Sequence, residues 1–311
     1  MLDSLFTRIS KGGLMKRFIM KLLLFAALFI FADVVLGAIL SNLRDNVQYG
    51  RIRRIRYIAE EQQTDIVIMG SSRAVHHYDP DIITEITDLS CYNAGFDGNG
   101  ILLNYPLLTE ITKRYSPKLI IYDLAEGFDL LARDDNHKFI SIIKPFYGQY
   151  PETVNVFDDV DKTEKYKMLS KMYQYNSNWF SVILGLLPHD DGQVNGYDPR
   201  GGRIKDDQLI PANRFDGAFD DIKIKYMYKF IENCKESKVP LVFVISPYLL
   251  EKQSYVLNGF IEYCSDNQVS LWDYRDVFLN DRNLFYDGSH MNQDGASAFS
   301  EMVGERITEF L

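Results

Sequence analysis

The stretch Asp65-Ile-Val-Ile-Met-Gly-Ser-Ser-Arg73 decides the fold, because a short apolar run ends there directly in a glycine and two serines. Similar runs, rich in Val, Ile or aromatic residues and bounded by Pro, Gly, Asn or Ser, recur at Leu89–Tyr92, Leu119–Leu124, Val239–Ile245 and Val269–Trp272. Short continuous apolar runs are typical of buried parallel strands. The sequence therefore predicts five strands.

Helical patterns separate these strands, at Ile101–Tyr115, Phe219–Ser237, Lys252–Asn267 and Gln293–Leu311. Asn292 precedes the last of them as a predicted N-cap. Strands that alternate with helices predict an α/β fold, with a parallel sheet and helices on both faces. Such sheets bind ligands at the carboxyl ends of their strands, so the loops there are where functional residues are expected.

The composition is that of a folded protein, with 46% apolar and 25% charged residues in a chain of 311. The formal net charge of −9 argues against a nucleic-acid partner, which requires a basic surface. Three cysteines, Cys91, Cys234 and Cys264, show neither a CxxC motif nor zinc spacing. We expect them to be small buried apolar residues.

One apolar segment bears on location. Leu22–Leu40 contains a single charge, Asp33, and its length approaches that needed to cross a bilayer. The alternatives are a signal peptide cleaved near Val35 and Gly37, or a buried helix of a soluble protein. A signal peptide has a shorter apolar core. We therefore predict an uncleaved single-pass transmembrane helix at 22–40, preceded by a cytoplasmic segment at 1–21.

The rest of the chain divides into two predicted parts. Residues 41–62 are polar and arginine-rich, and we interpret them as a helical stalk. Residues 63–311 form the folded domain, with an insertion at 127–215 between strands three and four. Basic residues lie on both sides of the apolar segment, so the positive-inside rule does not decide the orientation.

Three short motifs could carry chemistry. The first, Gly70-Ser71-Ser72, places a serine on a turn after a strand, although ordinary loops share this pattern. The second is Asp287-Gly-Ser-His290, in which a carboxylate can orient a histidine that serves as general base for a serine. Its alternative interpretation is a loop with a capping aspartate. The third is Asn93-Ala-Gly-Phe-Asp-Gly-Asn99, in which Gly98 could offer an N–H to an oxyanion, or which could be a simple turn.

In this order the motifs resemble those of the SGNH/GDSL hydrolases. The resemblance implies a three-layer α/β/α, flavodoxin-like domain with five parallel strands in the order 2-1-3-4-5. It implies a nucleophile at Ser72 and an oxyanion donor at Gly98, with Asp287 and His290 completing the triad. Asn99 and Arg73 are predicted to assist in binding the oxyanion or the substrate; for Arg73, capping of the turn is the alternative. No cofactor and no metal are expected.

Two departures from the family pattern matter. Ser71 stands where the family often has aspartate, which makes Ser71 a competing nucleophile. The Gly-x-Asn-Asp block after strand three is replaced by Leu124-Ala-Glu-Gly-Phe-Asp129. Loss of a side-chain oxyanion donor typically costs about 10²–10³ in rate.

Two further segments have alternatives. The pair His76-His77 with Asp79 could suggest a metal, but no metalloprotease spacing follows, and the histidines could instead line the cleft. Asn195–Arg203, rich in glycine and arginine, is either a glycan-facing loop or an ordinary surface turn.

The architecture also resembles SGNH-like proteins that work beside membrane-bound O-acyltransferases. We therefore predict a serine esterase or O-acyltransferase with an extracytoplasmic domain that acts on an acylated envelope glycan or lipid-linked donor. A membrane-bound O-acyltransferase is a predicted partner. The alternative is an SGNH-fold glycan-binding or scaffold subunit with weak or no catalysis.

Overall fold

A computed structural model describes residues 2–132, 140–189, 192–205, 217–251 and 254–311, with side chains from residue 14 onward. The strands described are β1 (Ile66–Gly70), β2 (Cys91–Asn93), β3 (Leu119–Asp123), β4 (Leu241–Ile245) and β5 (Ser270–Asp273). They form one parallel sheet in the order β2-β1-β3-β4-β5. The predicted α/β class and strand order are confirmed.

The sheet is buried on both faces. Ile66 and Ile68 of β1 belong to one apolar cluster, whereas Val67 and Met69 belong to the cluster on the other face. β3 and β4 alternate in the same way, because successive side chains of a strand point to opposite faces. This two-sided burial explains why the strands appear in the sequence as continuous apolar runs.

Helices and short helical turns account for most of the remaining described chain. The N-terminal part contains α1 (Leu2–Asp45), α2 (Gly50–Arg56), a π-helical turn (Tyr57–Glu61), α3 (Ser72–His77), α4 (Pro80–Thr87), α5 (Ile101–Arg114) and α6 (Glu126–Asp129). The middle contains a 3-10 turn (Ser141–Phe146), α7 (Pro151–Val160), α8 (Glu164–Lys167), α9 (Lys171–Tyr175) and α10 (Trp179–Leu184). The C-terminal part contains α11 (Asp221–Glu236), α12 (Tyr255–Asp266), a 3-10 turn (Arg282–Leu284) and α13 (Gln293–Phe310).

These helices form the outer layers of an α/β/α sandwich. α5 and α11 contact each other on one face of the sheet, and α13 contacts α3 and α4 on the other. Asn292 caps α13 as predicted, since its side-chain oxygen accepts the Gly295 N–H. Cys91, Cys234 and Cys264 are buried free thiols, which confirms the interpretation of the cysteines.

Residues 41–62 differ from the predicted polar stalk. α1 continues to Asp45, and α2 and the π-helical turn then lie against the domain. Ile52, Ile55 and Ile58 are at most 1% exposed and belong to the main apolar core. The arginines of this segment obscured an apolar face that the fold buries. The segment is therefore an integral part of the domain.

The predicted insertion at 127–215 contributes α7 to α10 and lies partly outside the described residues. Its described helices pack beside α1, α2 and α5. The N-terminal helix is long and apolar enough to cross a membrane over Leu14–Asp45, and most of that stretch is exposed. This is compatible with a membrane anchor.

Candidate active site

The turn after β1 positions the two serines differently. Gly70 has φ 141°, and a Cβ there would lie 2.6 Å from the Asp123 carbonyl oxygen, so the turn requires glycine. Ser71 follows with a side chain that is 0% exposed and whose hydroxyl has no hydrogen-bond partner within the described part of the chain. Ser72 begins α3 and is partly exposed. Of the two serines, Ser72 is therefore the partly exposed one and Ser71 the buried one.

The loop before α13 brings His290 to this serine. The distance from His290 Nε2 to Ser72 Oγ is 2.8 Å, although the two residues are 218 positions apart. On the other side of the ring, His290 Nδ1 lies 2.9 Å from Asp287 Oδ2 and 3.1 Å from Oδ1. The structure therefore joins the three residues into one hydrogen-bonded relay.

The surroundings of Asp287 fix the direction of this relay. Asp287 Oδ1 accepts the backbone N–H groups of Ser289 and His290, at 2.7 and 2.9 Å. Burial acts to raise the pKa of Asp287, but the hydrogen bond and charge of His290 and these two N–H groups lower it overall. An ionised Asp287 accepts a hydrogen bond from the Nδ1–H group of His290, which leaves Nε2 unprotonated and able to accept the hydroxyl proton of Ser72.

His77, a neighbour of the predicted site, holds the base in place. Its Nε2 accepts the Met291 N–H at 3.0 Å, so Nδ1 carries the proton and donates to Ser246 Oγ at 2.9 Å. His77 belongs to α3, the helix that carries Ser72, whereas Met291 follows His290 directly. One buried imidazole therefore connects the backbone of the base to the helix of the serine.

Arg73 does not face the site, which corrects its predicted role toward the substrate. Its side chain is 4% exposed, donates to the Ser246 hydroxyl and lies 3.7 Å from the centre of the Tyr248 ring. It also forms an ion pair of 3.6 Å with buried Asp123, which accepts the Tyr78 hydroxyl at 2.6 Å. The guanidinium is turned inward because α3 sits over this buried carboxylate.

The loop after β2 is braced by its own amides. Asn93 Nδ2 donates to the Ala74 carbonyl at 2.6 Å, and Asn93 Oδ1 accepts the Gly95 N–H at 3.1 Å. Gly98 adopts φ 69°, a conformation that favours glycine. Asn99 is 3% exposed and donates to the Asp97 carbonyl at 2.9 Å. The Asn99 amide thus stabilises the loop that contains Gly98.

The segment after β3 lacks the family's asparagine and contains α6 instead. Asp129 of this helix accepts the Tyr122 hydroxyl, the Ala125 N–H and the Ile101 N–H, at 2.6, 2.7 and 2.9 Å. Burial raises the pKa of Asp129 to about 7. Asp129 therefore ties α5 and α6 to the sheet, and its carboxylate accepts each of these hydrogen bonds.

A polar cluster beside His290 was not predicted as such. His76 is 1% exposed and lies edge-on to His290, with ring centres 5.4 Å apart. Its Nδ1 is 2.7 Å from the Asp198 carbonyl, and its Nε2 is 3.1 Å from Asp97 Oδ1 and 3.0 Å from Arg200 Nη2. His76, Asp97 and Asp198 could ligate a cation. The Arg200 guanidinium, however, lies 3.0 Å from His76 Nε2, so a positive charge already stands where a cation would bind this nitrogen.

Asp198 and Arg200 belong to the glycine- and arginine-rich segment singled out in the sequence, Asn195–Arg203. Gly196 of this segment approaches the Asn93 carbonyl so closely that a Cβ would lie 1.9 Å from that oxygen. The Arg200 carbonyl accepts the Gln293 N–H at 2.8 Å. The segment therefore lies over the edge of the site, beside the loops after β2 and before α13.

A polar cavity of about 300 Å³ adjoins the loop after β2. Asp97 and Asn99 line it on one side and Arg51 of α2 on another. The insertion supplies the remaining polar lining through hydroxyl and amide side chains, namely Ser141, Ser177, Asn178 and Ser181. Hydroxyl, amide and guanidinium groups around one cavity suit a ligand with many hydroxyls.

Comparisons with known proteins give distant similarities. No curated protein matches the sequence significantly. A protein-family model matches residues 214–311, which include Asp287 and His290 but less than half of the chain. A protein from Bacteroides fragilis assigned as an acylhydrolase is 12% identical with a TM-score of 0.42, over 83% of this chain and 95% of its own.

Two further solved structures are similar at a comparable level. A lipolytic protein assigned to the G-D-S-L family, from Desulfitobacterium hafniense, is 9% identical with a TM-score of 0.39, over 78% of this chain and 98% of its own. An acetyl xylan esterase from Butyrivibrio proteoclasticus is 8% identical with a TM-score of 0.37, over 79% of this chain and 63% of its own. The sheet order and the layers observed here are those that the resemblance of the sequence motifs to the SGNH/GDSL hydrolases implies.

Proposed function

We propose that this chain is a membrane-anchored serine esterase or O-acyltransferase that acts on an acylated carbohydrate of the cell envelope. The observation that carries the proposal is the hydrogen-bonded relay from Ser72 through His290 to Asp287. A serine hydroxyl is a poor nucleophile without a base within hydrogen-bond reach, and His290 meets that requirement. The inward burial of Ser71 supports Ser72 as the nucleophile.

The proposed reaction has two halves. Ser72 Oγ attacks the acyl carbonyl carbon while His290 Nε2 takes the hydroxyl proton, and Asp287 stabilises the resulting imidazolium. The Gly98 N–H and the N–H of Ser72, at the first position of α3, are the proposed oxyanion donors. The C–O bond to the leaving alcohol then breaks, and His290 returns the proton to that alcohol.

The second half resolves the acyl-enzyme. His290 deprotonates either water or a sugar hydroxyl, whose oxygen attacks the acyl carbon, and Ser72 leaves with the proton returned to Oγ. Water gives hydrolysis, and a sugar hydroxyl gives transfer. In the transfer reaction, a membrane-bound O-acyltransferase is the proposed partner that supplies the acyl group. The polar cavity beside Asp97 and Asn99 supports a carbohydrate as the second reactant.

One observation favours a second candidate, a glycan-binding subunit with the same fold and little catalysis. The segment Leu124–Asp129 replaces the Gly-x-Asn-Asp block whose asparagine would supply a side-chain oxyanion donor, and its Asp129 is engaged in holding α5 and α6. The intact relay at Ser72 weighs against this candidate, since binding alone does not require an oriented base.

Covalent labelling separates the two candidates. A fluorophosphonate probe should label the full-length protein and its Ser71→Ala variant, but not Ser72→Ala. Ser71→Ala is a matched control, because it removes a buried hydroxyl without a hydrogen-bond partner within the described residues. Hydrolysis of an activated acetyl ester should fall by about 10⁶-fold in Ser72→Ala. Equal labelling of wild type and Ser72→Ala would refute the proposed nucleophile, and no labelling of the wild type would favour the binding subunit.

A further inference from the structure

An apolar face is exposed on the insertion, at α10 and just after it. It consists of α10 and its flank, with side chains 40–58% exposed: Trp179, Phe180, Ile183, Leu184 and Leu187. The four in α10 share one side of the helix, since they recur at intervals of three and four residues, and Leu187 follows three residues after the helix ends. Val182, between them, is buried, whereas Ser181 lines the polar cavity. We call the five exposed residues the α10 apolar face.

This face adjoins the apolar N-terminal helix. The neighbouring helix α9 is capped by Asp33 of α1, whose carboxylate accepts the Ser170 hydroxyl and the N–H groups of Lys171 and Met172, at 2.6, 2.8 and 3.0 Å. The charge that interrupts the apolar segment is thus satisfied by the domain. α10 itself contacts both α1 and α2.

The contact between α1 and α9 is close. A Cβ at Gly37 would lie 2.2 Å from the Lys171 Cβ, so the glycine permits the approach of the two helices. One turn further, the Tyr175 hydroxyl donates to Ser41 Oγ at 2.8 Å. The domain therefore covers one side of α1 from Asp33 onward and fixes the helix to the insertion.

The other side of α1 at this level remains apolar and exposed. Val34, Leu36 and Ile39 are 48–53% exposed, next to the part of α1 that the insertion covers. The exposed apolar residues of α1 and the α10 apolar face therefore lie on two helices that contact each other. Monomeric soluble proteins rarely expose large contiguous apolar patches, and those that are present mark interaction surfaces.

The length of the helix places the bilayer at this level. Because the domain covers α1 from Asp33 onward, the membrane-spanning part lies before Asp33 and begins earlier than the predicted 22–40. From Leu14 to Ala32, α1 rises about 28 Å at 1.5 Å per residue, close to the hydrocarbon thickness of about 30 Å. The long side chains of Lys16, Arg17 and Lys21, near the start of this part, can extend their charges to the headgroup layer. The hydrocarbon core then ends near Asp33, where the domain begins to cover α1. Tryptophan is enriched at the membrane–water interface, and Trp179 lies on the face that would meet it.

We propose that the α10 apolar face lies in the interfacial layer of the bilayer, as a second membrane contact beside α1. This inference goes beyond the proposed function, and it rests on α1 crossing the membrane. The domain is then seated directly on the bilayer at a fixed orientation. The helix α10 presents its apolar side to lipid and Ser181 to the polar cavity.

Tryptophan fluorescence can test this placement in the full-length protein. Trp179 is one of two tryptophans, and the other, Trp272, is 8% exposed within the sheet. The Trp272→Phe variant therefore reports on Trp179 alone. After reconstitution into phosphatidylcholine vesicles, its emission should be lost when the lipids carry bromine atoms on their acyl chains. Iodide in the water should cause little loss.

The Trp179→Phe variant, which keeps Trp272, is the matched control and should show neither loss. Emission from Trp179 that brominated lipid leaves unchanged would overturn the proposal. Quenching by iodide would then indicate a face in water, and protection from both quenchers would indicate a protein partner or a second copy. The Ser72→Ala form should give the same quenching, so this outcome is independent of whether the proposed chemistry is correct.

Discussion

The His77 side chain is a neutral imidazole that both accepts and donates a hydrogen bond inside the protein. It accepts from the Met291 backbone and donates to Ser246, so the neutral ring has a hydrogen-bond partner at both nitrogens. Burial lowers the pKa of His77 well below its usual value, and the charge of Arg73 adds to the effect. The folded state therefore requires the neutral form, which links stability to pH.

The sign of this linkage leads to a prediction for His77. Above the unfolded pKa of about 6.5, both states hold a neutral imidazole, and its contribution to stability is fully present. Below it, the unfolded chain binds a proton that the folded chain excludes, so the free energy of unfolding falls by up to about 1.4 kcal/mol per pH unit. Denaturant midpoints measured between about pH 8 and pH 5 should show this slope in wild type and a shallower slope in His77→Gln. Identical slopes in wild type and His77→Gln would contradict the assignment of this pH dependence to His77.

The sequence identified the relay residues because their roles depend on short local motifs. Asp287 and His290 can meet across one turn, and a Gly-x-Ser pattern marks the serine. It did not predict the direction of Arg73, because the partners of this side chain, Ser246 and Tyr248, lie more than 170 positions away. Burial, which a single sequence does not reveal, also distinguishes Ser71 from Ser72.

The helix α13 begins at an N-cap, Asn292, that also supports the loop of His290. Asn292 Oδ1 accepts the Gly295 N–H at 3.0 Å, while Nδ2 donates to the carbonyls of Asn283 and Gly202, at 2.7 and 2.9 Å. Because Asn292 lies two residues after His290, the same side chain holds the helix and the loop that carries the base.

Substitution of this cap should be destabilising in a graded way. Asn292→Ala removes the cap and leaves two carbonyls without their donor, so the free energy of unfolding should fall by roughly 2 kcal/mol. Asn292→Asp keeps the acceptor for Gly295 but places a buried carboxylate oxygen against the Asn283 and Gly202 carbonyls, so it should melt below wild type and no higher than Asn292→Ala. Thermal melts of wild type and the two full-length variants in detergent measure the order of their stabilities. Equal melting temperatures for the three proteins would exclude the proposed role of the amide.

The segment 41–62 shows where prediction of elements fails. Its arginines suggested a solvated stalk, yet Arg54 donates to the Asn93 and Gly196 carbonyls, at 2.9 and 2.8 Å. Arginine can carry an apolar stem into a core and still pair its guanidinium. The strands were easier to predict, because burial on both faces leaves a continuous apolar signal, whereas α2 buries only Ile52, Arg54 and Ile55.

The arginines after α1 bear on which side of the membrane the domain lies. Arg53 forms an ion pair with Glu61 at 2.7 Å, and Arg56 forms one with Glu60 at 3.5 Å. Arg51 donates to the Asp97 carbonyl at 3.3 Å. These groups are engaged with the folded domain, so the fold by itself accounts for arginines at these positions.

We accordingly predict that the domain lies outside the cytoplasm. Alkaline phosphatase fused after Leu311 should be active in cells, because it folds only after export, whereas a fluorescent protein fused at the same position should stay dark. The matched control is a fusion placed before the apolar segment, for which the opposite result is expected. An active phosphatase at the control position alone would move the substrate to the cytoplasmic side.

The separation of Ser72 and His290 by 218 positions also sets the timing of activity during synthesis. Chains emerge from the ribosome with the N-terminal residues first, so the serine and its strand are made long before the histidine. Until α13 docks on α3 and α4, the hydroxyl has no base and stays unreactive. Under the proposed chemistry, a nascent or C-terminally truncated chain is therefore inert, and esterase turnover reports that translation and folding of the last helix are complete.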